Sequence, residues 1–501
     1  MKKIFLAFSA LMSISLGAQT VPFDAASSLS VSTDTIFIEP VHTNNPTANS
    51  NLWPAPYMQE RLLFWIHGLG GSNKSWGALA AATQLGGAPG YPARKVTSIN
   101  KEYAEYGSLN TAVVDLANQY HLHTVMPPFD TVPRYRHMAI AHSQGGLVAR
   151  KMDQQFRRGN LDQYFGALIT FGTPHKGAKV LNNSNPSGNT NMVGPWLNNG
   201  CVAFGHAYLT NLLKTNFWTS ILVSSQTLQQ LTSQTCNSLE NTLLPVLVKD
   251  FLKPITHDYR VGADTLANLN ANPGNLPTIA VYGVEKRPVL WRTVGSLTID
   301  DTLVSHSLFG NNNDDVWVNT VNAMIADYTS NVHFANSQYD IWISIPLFQN
   351  VAYRWWDVRN ANKAARDWLR NADRQWERII GSRYDSIYQD GYICRCIDEA
   401  SPGLNTSFSL VQNPSDCNAQ NPTQICSISN NIVTLPIQKP SDGVVLAESA
   451  KGLGSFTKTY NMPQTNHQQM RNSAKTRFIL NEIFDNASNI PHLFPFQIPT
   501  R

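Results

Sequence analysis

Apolar residues in this chain fall in short runs separated by glycine-rich turns and polar loops. Arg61–Ile66 is one such run, predicted as a buried strand, and it ends in His67-Gly-Leu-Gly-Gly71. A second, Met138-Ala-Ile-Ala141, turns sharply at Ser143 into Gln144-Gly-Gly-Leu-Val-Ala149, which reads as the start of a helix. A third spans Gly166–Ala178 and closes in a tight turn, and a fourth is Thr278–Gly283. The third run is read as the next strand after that helix. Further on, Ala361, Ala365, Trp368, Ala372, Trp376 and Ile379 recur at steps of three and four, opposite Arg359, Lys363, Arg366, Arg370, Arg374 and Arg378. That spacing predicts one amphipathic helix. A last helix is expected over 470–484.

The turn at Ser143 carries candidate chemistry. A strand that reverses into a helix around one serine leaves no room for large side chains two positions to either side, and here those positions are Ala141 and Gly145. The pattern that builds such a turn is Gly-x-Ser-x-Gly, with the serine presented as a nucleophile; this chain has one extra methyl at the first position. The glycines of His67–Gly71 let a backbone N–H point into a pocket, and a negative oxygen forming during acyl transfer needs two preorganised donors. Leu69 and Gln144 are the candidate amide donors. An ordinary helix cap would also place a serine at such a position.

The ordered set His-Gly-x-Gly-Gly, Ala-His-Ser-x-Gly-Gly and Gly-Thr-Pro-His-x-Gly resembles the α/β-hydrolase superfamily. Within it, the chain is similar to secreted bacterial lipases and the glycosylphosphatidylinositol inositol-deacylase-like group. Val261–Asn270 followed by Thr278–Gly283 is similar to the segment those lipases place before the strand that carries their acid. The resemblance covers residues 60–180 and 255–285, and resumes over 440–485. It implies an α/β fold with a mostly parallel central sheet and a helical, disulfide-braced cap, and a catalytic Ser–acid–His order, because serine needs an imidazole to accept its proton and a carboxylate to hold that imidazole. Asp442, in Ser441-Asp-Gly-Val-Val445, resembles the acid-bearing segment; Asp300, Asp301, Asp314 and Asp315 lie in alternative loops. His467 follows 25 residues later, leaving room for a strand and a loop, and His492 is the one other histidine beyond Asp442. His67, His142 and His175 belong to the motifs and are expected to brace loops. The implied activity is hydrolysis of carboxylic esters, with lipid esters favoured, and no cofactor is called for. A short-chain esterase, a polyester hydrolase or a phospholipid deacylase uses the same machinery, and a binding protein that has lost catalysis on this fold is the alternative of another class.

Composition places this chemistry. Met1-Lys-Lys followed by an apolar run and small residues to Ala18 reads as a secretory signal peptide over 1–18. No later stretch is apolar for about 18 residues or more, so no spanning helix is expected, and the mature chain is read as secreted, periplasmic or on the cell surface. Six cysteines fit an oxidising compartment. One bridge is expected between Cys201 and Cys236 and two among Cys394, Cys396, Cys417 and Cys426, with pairing across the two regions left open. Cys-x-Cys without clustered histidines is a poor zinc pattern, and Asn311–Asp315 lacks the spacing of a calcium loop, so no metal is expected. A formal net charge of +4 over 501 residues, without a basic run, does not suggest nucleic acid.

The length exceeds a minimal hydrolase core. The core is assigned to 60–180, 259–285 and 440–501, preceded by a Ser/Thr/Asn-rich surface segment over 19–59 with one strand-like piece, Thr35–Ile38. A first insertion, 181–258, opens with a polar loop and turns helical in Tyr208–Leu213 and Leu243–Val248, where the resemblance implies a lid or a packing subdomain. A second insertion, 286–439, holds the amphipathic helix and a Cys-rich part at 394–426. The basic face of that helix would suit transient contact with a lipid interface, whereas a helix burying its tryptophans in the cap is the commoner arrangement. The oligomeric state is left open.

Overall fold

The computed structural model describes residues 60–87, 91–184, 191–214, 250–297, 314–388, 392–398, 406–411, 414–419, 424–429, 433–453, 456–485 and 495–501. The signal-peptide-like start, the 19–59 segment, Leu243–Val248, Cys236, Asp300, Asp301, Asn311–Asn313 and His492 lie outside the described residues.

In chain order the core begins with β1 (Arg61–Ile66), α1 (Gly77–Leu85), β2 (Val96–Asn100), α2 (Leu109–Thr124), β3 (Met138–His142), α3 (Gln144–Arg157) and β4 (Ala167–Phe171). Then come α4 (Val193–Lys214), α5 (Asp264–Ala271), β5 (Thr278–Val284), α6 (Val289–Leu297), α7 (Asp314–Ile343) and α8 (Gln349–Ile379). Strands β6 (Arg383–Tyr388), β7 (Tyr392–Asp398), β8 (Thr406–Val411), β9 (Gln424–Ser429) and β10 (Val433–Gln438) follow, and then β11 (Lys458–Pro463) and α9 (Ala474–Asp485).

Six strands form one sheet in the order β11-β5-β4-β3-β1-β2, every neighbour pair parallel. Strand periodicity explains why β1, β3 and β4 are buried along their whole length. Successive side chains of β1 point to opposite faces. Leu62, Phe64 and Ile66 join a cluster with α2 and α3, whereas Leu63 and Trp65 join another with α1 and α9. Both faces of the sheet are therefore covered, as a parallel sheet requires. The stacked rings of Phe64 and Tyr120, 4.1 Å apart, show how tightly the α2 side closes. After β1 the chain steps out to β2 and then returns to the other side of β1 for β3, so the β1–β3 boundary is the switch point of this sheet. In open α/β sheets that boundary, at the carboxyl ends of the strands, is where ligands bind. The result is an α/β-hydrolase fold.

The expected terminal helix is interrupted. A short turn at Gln469–Asn472 precedes α9, and Ser473 Oγ accepts the Thr476 N–H at 3.2 Å, capping a fresh helix start.

The insertions supply a helical layer. The amphipathic helix read from 359–379 begins a further two to three turns earlier, at Gln349. Ala361, Ala365, Leu369 and Ala372 are buried against Phe204 and Ala207 of α4 and against Val321, Met324 and Tyr328 of α7. Lys363, Arg370, Arg374 and Arg378 are exposed. The tryptophans face the protein: Trp368 stacks on Trp196, centroids 5.2 Å apart, and Trp376 Nε1 donates to Gly443 O at 2.8 Å.

Residues 381–439 form a second compact unit, so the second insertion is two pieces, helical before Gly381 and β-structured after it. In that unit β7 lies between β8 and β9, antiparallel to both, and β6 pairs with β10. Cys394 and Cys396 share one side of β7, as residues two apart on a strand must, and each takes its own partner, Cys417 and Cys426. Cys201 is also disulfide-bonded.

The small side chains along α8 set its approach to α4 and α7. Ala365→Leu adds volume where none is free and should cost about 1–3 kcal/mol, read as a lower urea midpoint. Lys363→Ala, on the exposed face, should change stability by less than about 0.5 kcal/mol. Equal effects would mean that the faces are reversed.

Candidate active site

Ser143 stands at the carboxyl end of β3, at the switch point of the sheet, with φ 53° and ψ −126°. A non-glycine residue in that region costs on the order of 1–3 kcal/mol and survives only where surrounding contacts force it. The forcing contacts are present. Ser143 N–H donates to Phe171 O at 2.8 Å, tying the turn to the end of β4. A Cβ on Gly145 would lie 2.4 Å from His67 O, and one on Gly146 would lie 2.1 Å from Thr173 Oγ1. Only glycine fits at either place, because the His67–Gly71 loop and the Thr173 turn press against the first turn of α3. Ala141 departs from the glycine of the pattern without strain, its methyl buried in the cluster beneath the sheet.

His467 Nδ1 and Asp442 Oδ2 are 2.8 Å apart, both residues buried. The backbone repeats the link: His467 N–H donates to Asp442 O at 2.8 Å. The second carboxylate oxygen, Oδ1, accepts the N–H groups of Val444 at 3.0 Å and Val445 at 2.7 Å, which fixes the carboxylate plane. The pair sits at the end of β4, since a Cβ on Gly172 would meet both Asp442 Oδ2 and His467 Nδ1 at 3.0 Å. His142, the residue before Ser143, reaches the same loop: its Nε2 bonds His467 O at 2.8 Å, and the two rings are 4.6 Å apart. The structure therefore joins Asp442 to His467 and brings both to the strand end from which Ser143 projects. Among the described residues the Ser143 hydroxyl itself makes no hydrogen bond.

Leu69 lies on the loop after β1 and Gln144 is the first residue of α3, just past β3, and β1 and β3 are neighbouring strands. Neither backbone N–H donates a hydrogen bond among the described residues. Gln144 is buried, and its side chain is held at both ends: Tyr259 Oη donates to Oε1 at 2.6 Å, and Nε2 donates to Tyr103 Oη at 3.2 Å. Tyr103 Oη in turn donates to His67 O at 2.9 Å. Burial pushes both phenols well above their ordinary pKa, so both remain proton donors. The next turn of the loop is pinned by charge. Gly70 N–H donates to Glu105 Oε1 at 3.0 Å, and Lys253 bridges Glu105 and Asp250. Tyr103, Glu105, Asp250, Lys253 and Tyr259 carry no sequence motif and were not legible as site residues.

The three motif histidines are neutral braces. His67 Nδ1 bonds Gly68 O at 2.8 Å and its ring stacks on Tyr103 at 4.4 Å. His175 lies between Arg150 Nη1 at 3.2 Å and Thr170 Oγ1 at 3.3 Å. Burial pushes His67 down to about 4. Burial also holds His142 and His175 well below the ordinary range, and the positive guanidinium of Arg150 adds to the effect on His175.

No family model matches this chain, and no curated protein does. Solved structures with partial likeness include the mature lipase BlEst2 of Bacillus licheniformis, 14% identical, with a TM-score of 0.26, covering 46% of this chain and 67% of that one. The phospholipase PlaB of Legionella pneumophila is 12% identical over 47% of this chain and 41% of its own, at a TM-score of 0.27. The juvenile hormone esterase of Manduca sexta is 14% identical over 49% and 45%, at 0.26. This chain thus spans under half the length of the latter two. At such values the fold assignment stands on the strand order and the turn at Ser143.

Buried neutral histidines make stability depend on pH. Unfolded histidine takes up a proton near pH 6.5, whereas folded His67, His142, His175 and His137, the last pushed down to about 3, do so only at lower pH. The unfolded state then binds more protons, so stability falls as pH drops below about 6.5, by up to ~1.4 kcal/mol per unit for each ring. A urea midpoint should change little from pH 7.5 to about 6.5 and then fall towards pH 5, and a flat profile over the whole range would contradict the assignment.

Proposed function

We propose that this protein is a serine hydrolase of carboxylic esters, with lipid esters as the substrate class. The reading is carried by one observation: a buried, doubly anchored His467–Asp442 pair at the strand end from which a strained serine projects.

In the proposed reaction Ser143 Oγ attacks the ester carbonyl while His467 Nε2 takes its proton. Asp442 holds Nδ1–H, which fixes the tautomer that leaves Nε2 free to accept, and it stabilises the imidazolium that forms. The carbonyl oxygen becomes negative and is met by the amides of Leu69 and Gln144, at the N-terminus of α3, whose dipole favours a negative charge. Collapse expels the alcohol with the proton from His467. Water then attacks the acyl-serine by the same route in reverse. Because Gln144 and the His67–Gly71 loop are tied together through Tyr103, the two donors are set before substrate arrives, so little reorganisation is needed in the transition state.

The substrate class rests on weaker support: the resemblance of the motifs to lipases and the apolar helical layer contributed by the insertions. Export is supported by the signal-peptide-like start and the disulfides, and among the described residues no helix is long and apolar enough to cross a membrane. A short-chain esterase, a polyester hydrolase and a phospholipid deacylase share this machinery, and relative rates on soluble short-chain and emulsified long-chain esters separate them.

A fluorophosphonate probe, applied with and without detergent, should label the wild-type protein covalently and leave Ser143→Ala unlabelled. Absence of labelling on folded wild-type protein in detergent refutes the proposal. Asp442→Asn should lower turnover by up to about four orders of magnitude while leaving the fold intact. Near-normal turnover would remove Asp442 from the mechanism.

A further inference from the structure

Helices α7 and α8 pack along each other as a hairpin, and the chain reverses between them over Ser344–Phe348. Every residue from Ser344 to Asn350 is exposed. From Ile341 to Tyr353 the sequence is Ile-Trp-Ile-Ser-Ile-Pro-Leu-Phe-Gln-Asn-Val-Ala-Tyr, with no charged residue. Ile341, Ile345, Leu347, Phe348 and Tyr353 all present large exposed side chains, and Leu347 is 96% exposed. Leu347 also has φ 74°, a left-handed backbone that leucine adopts at a cost of about 1–2 kcal/mol. The turn thus holds an apolar side chain outward, in strained backbone, with no covering contact among the described residues.

The hairpin is uncharged at its tip and mixed aromatic and charged behind it. Aliphatic and phenyl groups occupy the end. Behind them stands a collar of indoles and phenols, Trp342 packed on Phe348 at 5.4 Å and Tyr339 on Trp356 at 5.3 Å. Charges begin within that collar, with Asp340 and Arg354 at the level of the Tyr339–Trp356 pair, and continue with Asp357 and Arg359, the last stacked over the Trp356 ring at 4.2 Å. A lipid surface has the same order, hydrocarbon, then an interface that favours Trp and Tyr, then water. A protein partner imposes no such gradient. A convex tip of half a dozen side chains also offers well under the roughly 800 Å² per partner that a stable complex buries.

We propose that the α7–α8 hairpin tip inserts into the surface of a lipid layer and docks the protein there. The acidic and basic groups behind the tip balance, so insertion is driven by apolar burial and tolerates a neutral surface. The helical rise puts the tip roughly 40 Å from Trp376, which touches the Asp442 loop. The tip therefore tethers the molecule, without covering the candidate active site.

The full-length secreted form is mixed with phosphatidylcholine vesicles and, separately, with vesicles containing phosphatidylglycerol, and sedimented. Wild-type protein should bind both, in 0.1 M and in 0.5 M NaCl, with a blue shift of tryptophan emission. Leu347→Asp combined with Phe348→Asp should weaken partitioning at least tenfold. The milder Leu347→Ala should weaken it less, and unchanged circular dichroism of both variants shows that they fold. Vesicle binding is read without reference to catalysis, so its failure is separate from failure of the hydrolase reading. Wild-type protein that binds neither vesicle overturns the proposal. So does a double variant that binds as wild type, or binding confined to anionic vesicles at low salt, which would assign the contact to the basic face of α8. A wild-type dimer that the double variant converts to monomer, with no vesicle binding, would give the tip to a second copy.

Discussion

The constraint on which the molecule depends is the close approach of three backbones around Ser143. The loop after β1, the turn after β3 and the turn after β4 meet at the switch point of a parallel sheet, where Gly145 and Gly146 are the only residues that fit. Strand pairing delivers these ends together, since β1, β3 and β4 are consecutive neighbours. Once they are there, the serine has no relaxed conformation to adopt. Its unfavourable φ and ψ are sustained by the burial of the strands on both faces of the sheet, each large side chain contributing about 1.5–3 kcal/mol.

The polar groups that meet there are over-determined in the same way. The carboxylate of Asp442 is fixed by two backbone amides before it holds His467, and His467 is held again through its own N–H and through its carbonyl by His142. On the opposite side, Tyr259, Gln144 and Tyr103 form a chain of buried hydrogen bonds that ends on the carbonyl of His67. An unsatisfied member of such a chain would cost about 1–3 kcal/mol, so the chain keeps the two motif loops in a single register. The cap adds a third anchor, through Trp376 on Gly443, the residue beside the acid.

Much of this was legible in the sequence because its causes are local. A glycine two residues after a serine, at the end of an apolar run, is required wherever a strand reverses into a helix, and the burial of β1 along its whole length follows from its continuous apolar run. Asp442 and His467 became legible only through resemblance, because the insertion between β5 and β11 hides the usual spacing. Tyr103 and Tyr259 left no signal, since a phenol that bonds a glutamine from a distant loop looks like any core tyrosine. Helix α7 was missed although Val321, Met324, Tyr328, Val332 and Ala335 recur at steps of three and four. The Asn, Thr and Asp residues between them favour turns in isolation, and packing against α8 overrides that preference. The strands of 381–439 were masked by their short length and polar composition, with the side-by-side cysteines of β7 the one clue.

The central claim is that the strained serine, the anchored histidine and the two loop amides form one reacting centre. A crystal structure of the protein after reaction with an alkyl phosphonate ester tests it most directly. The account predicts phosphorus bonded to Ser143 Oγ, the phosphoryl oxygen about 2.7–3.1 Å from the N–H groups of Leu69 and Gln144, and His467 Nε2 facing the ester oxygen. Phosphorus on another residue, or a phosphoryl oxygen turned away from those amides, would contradict it.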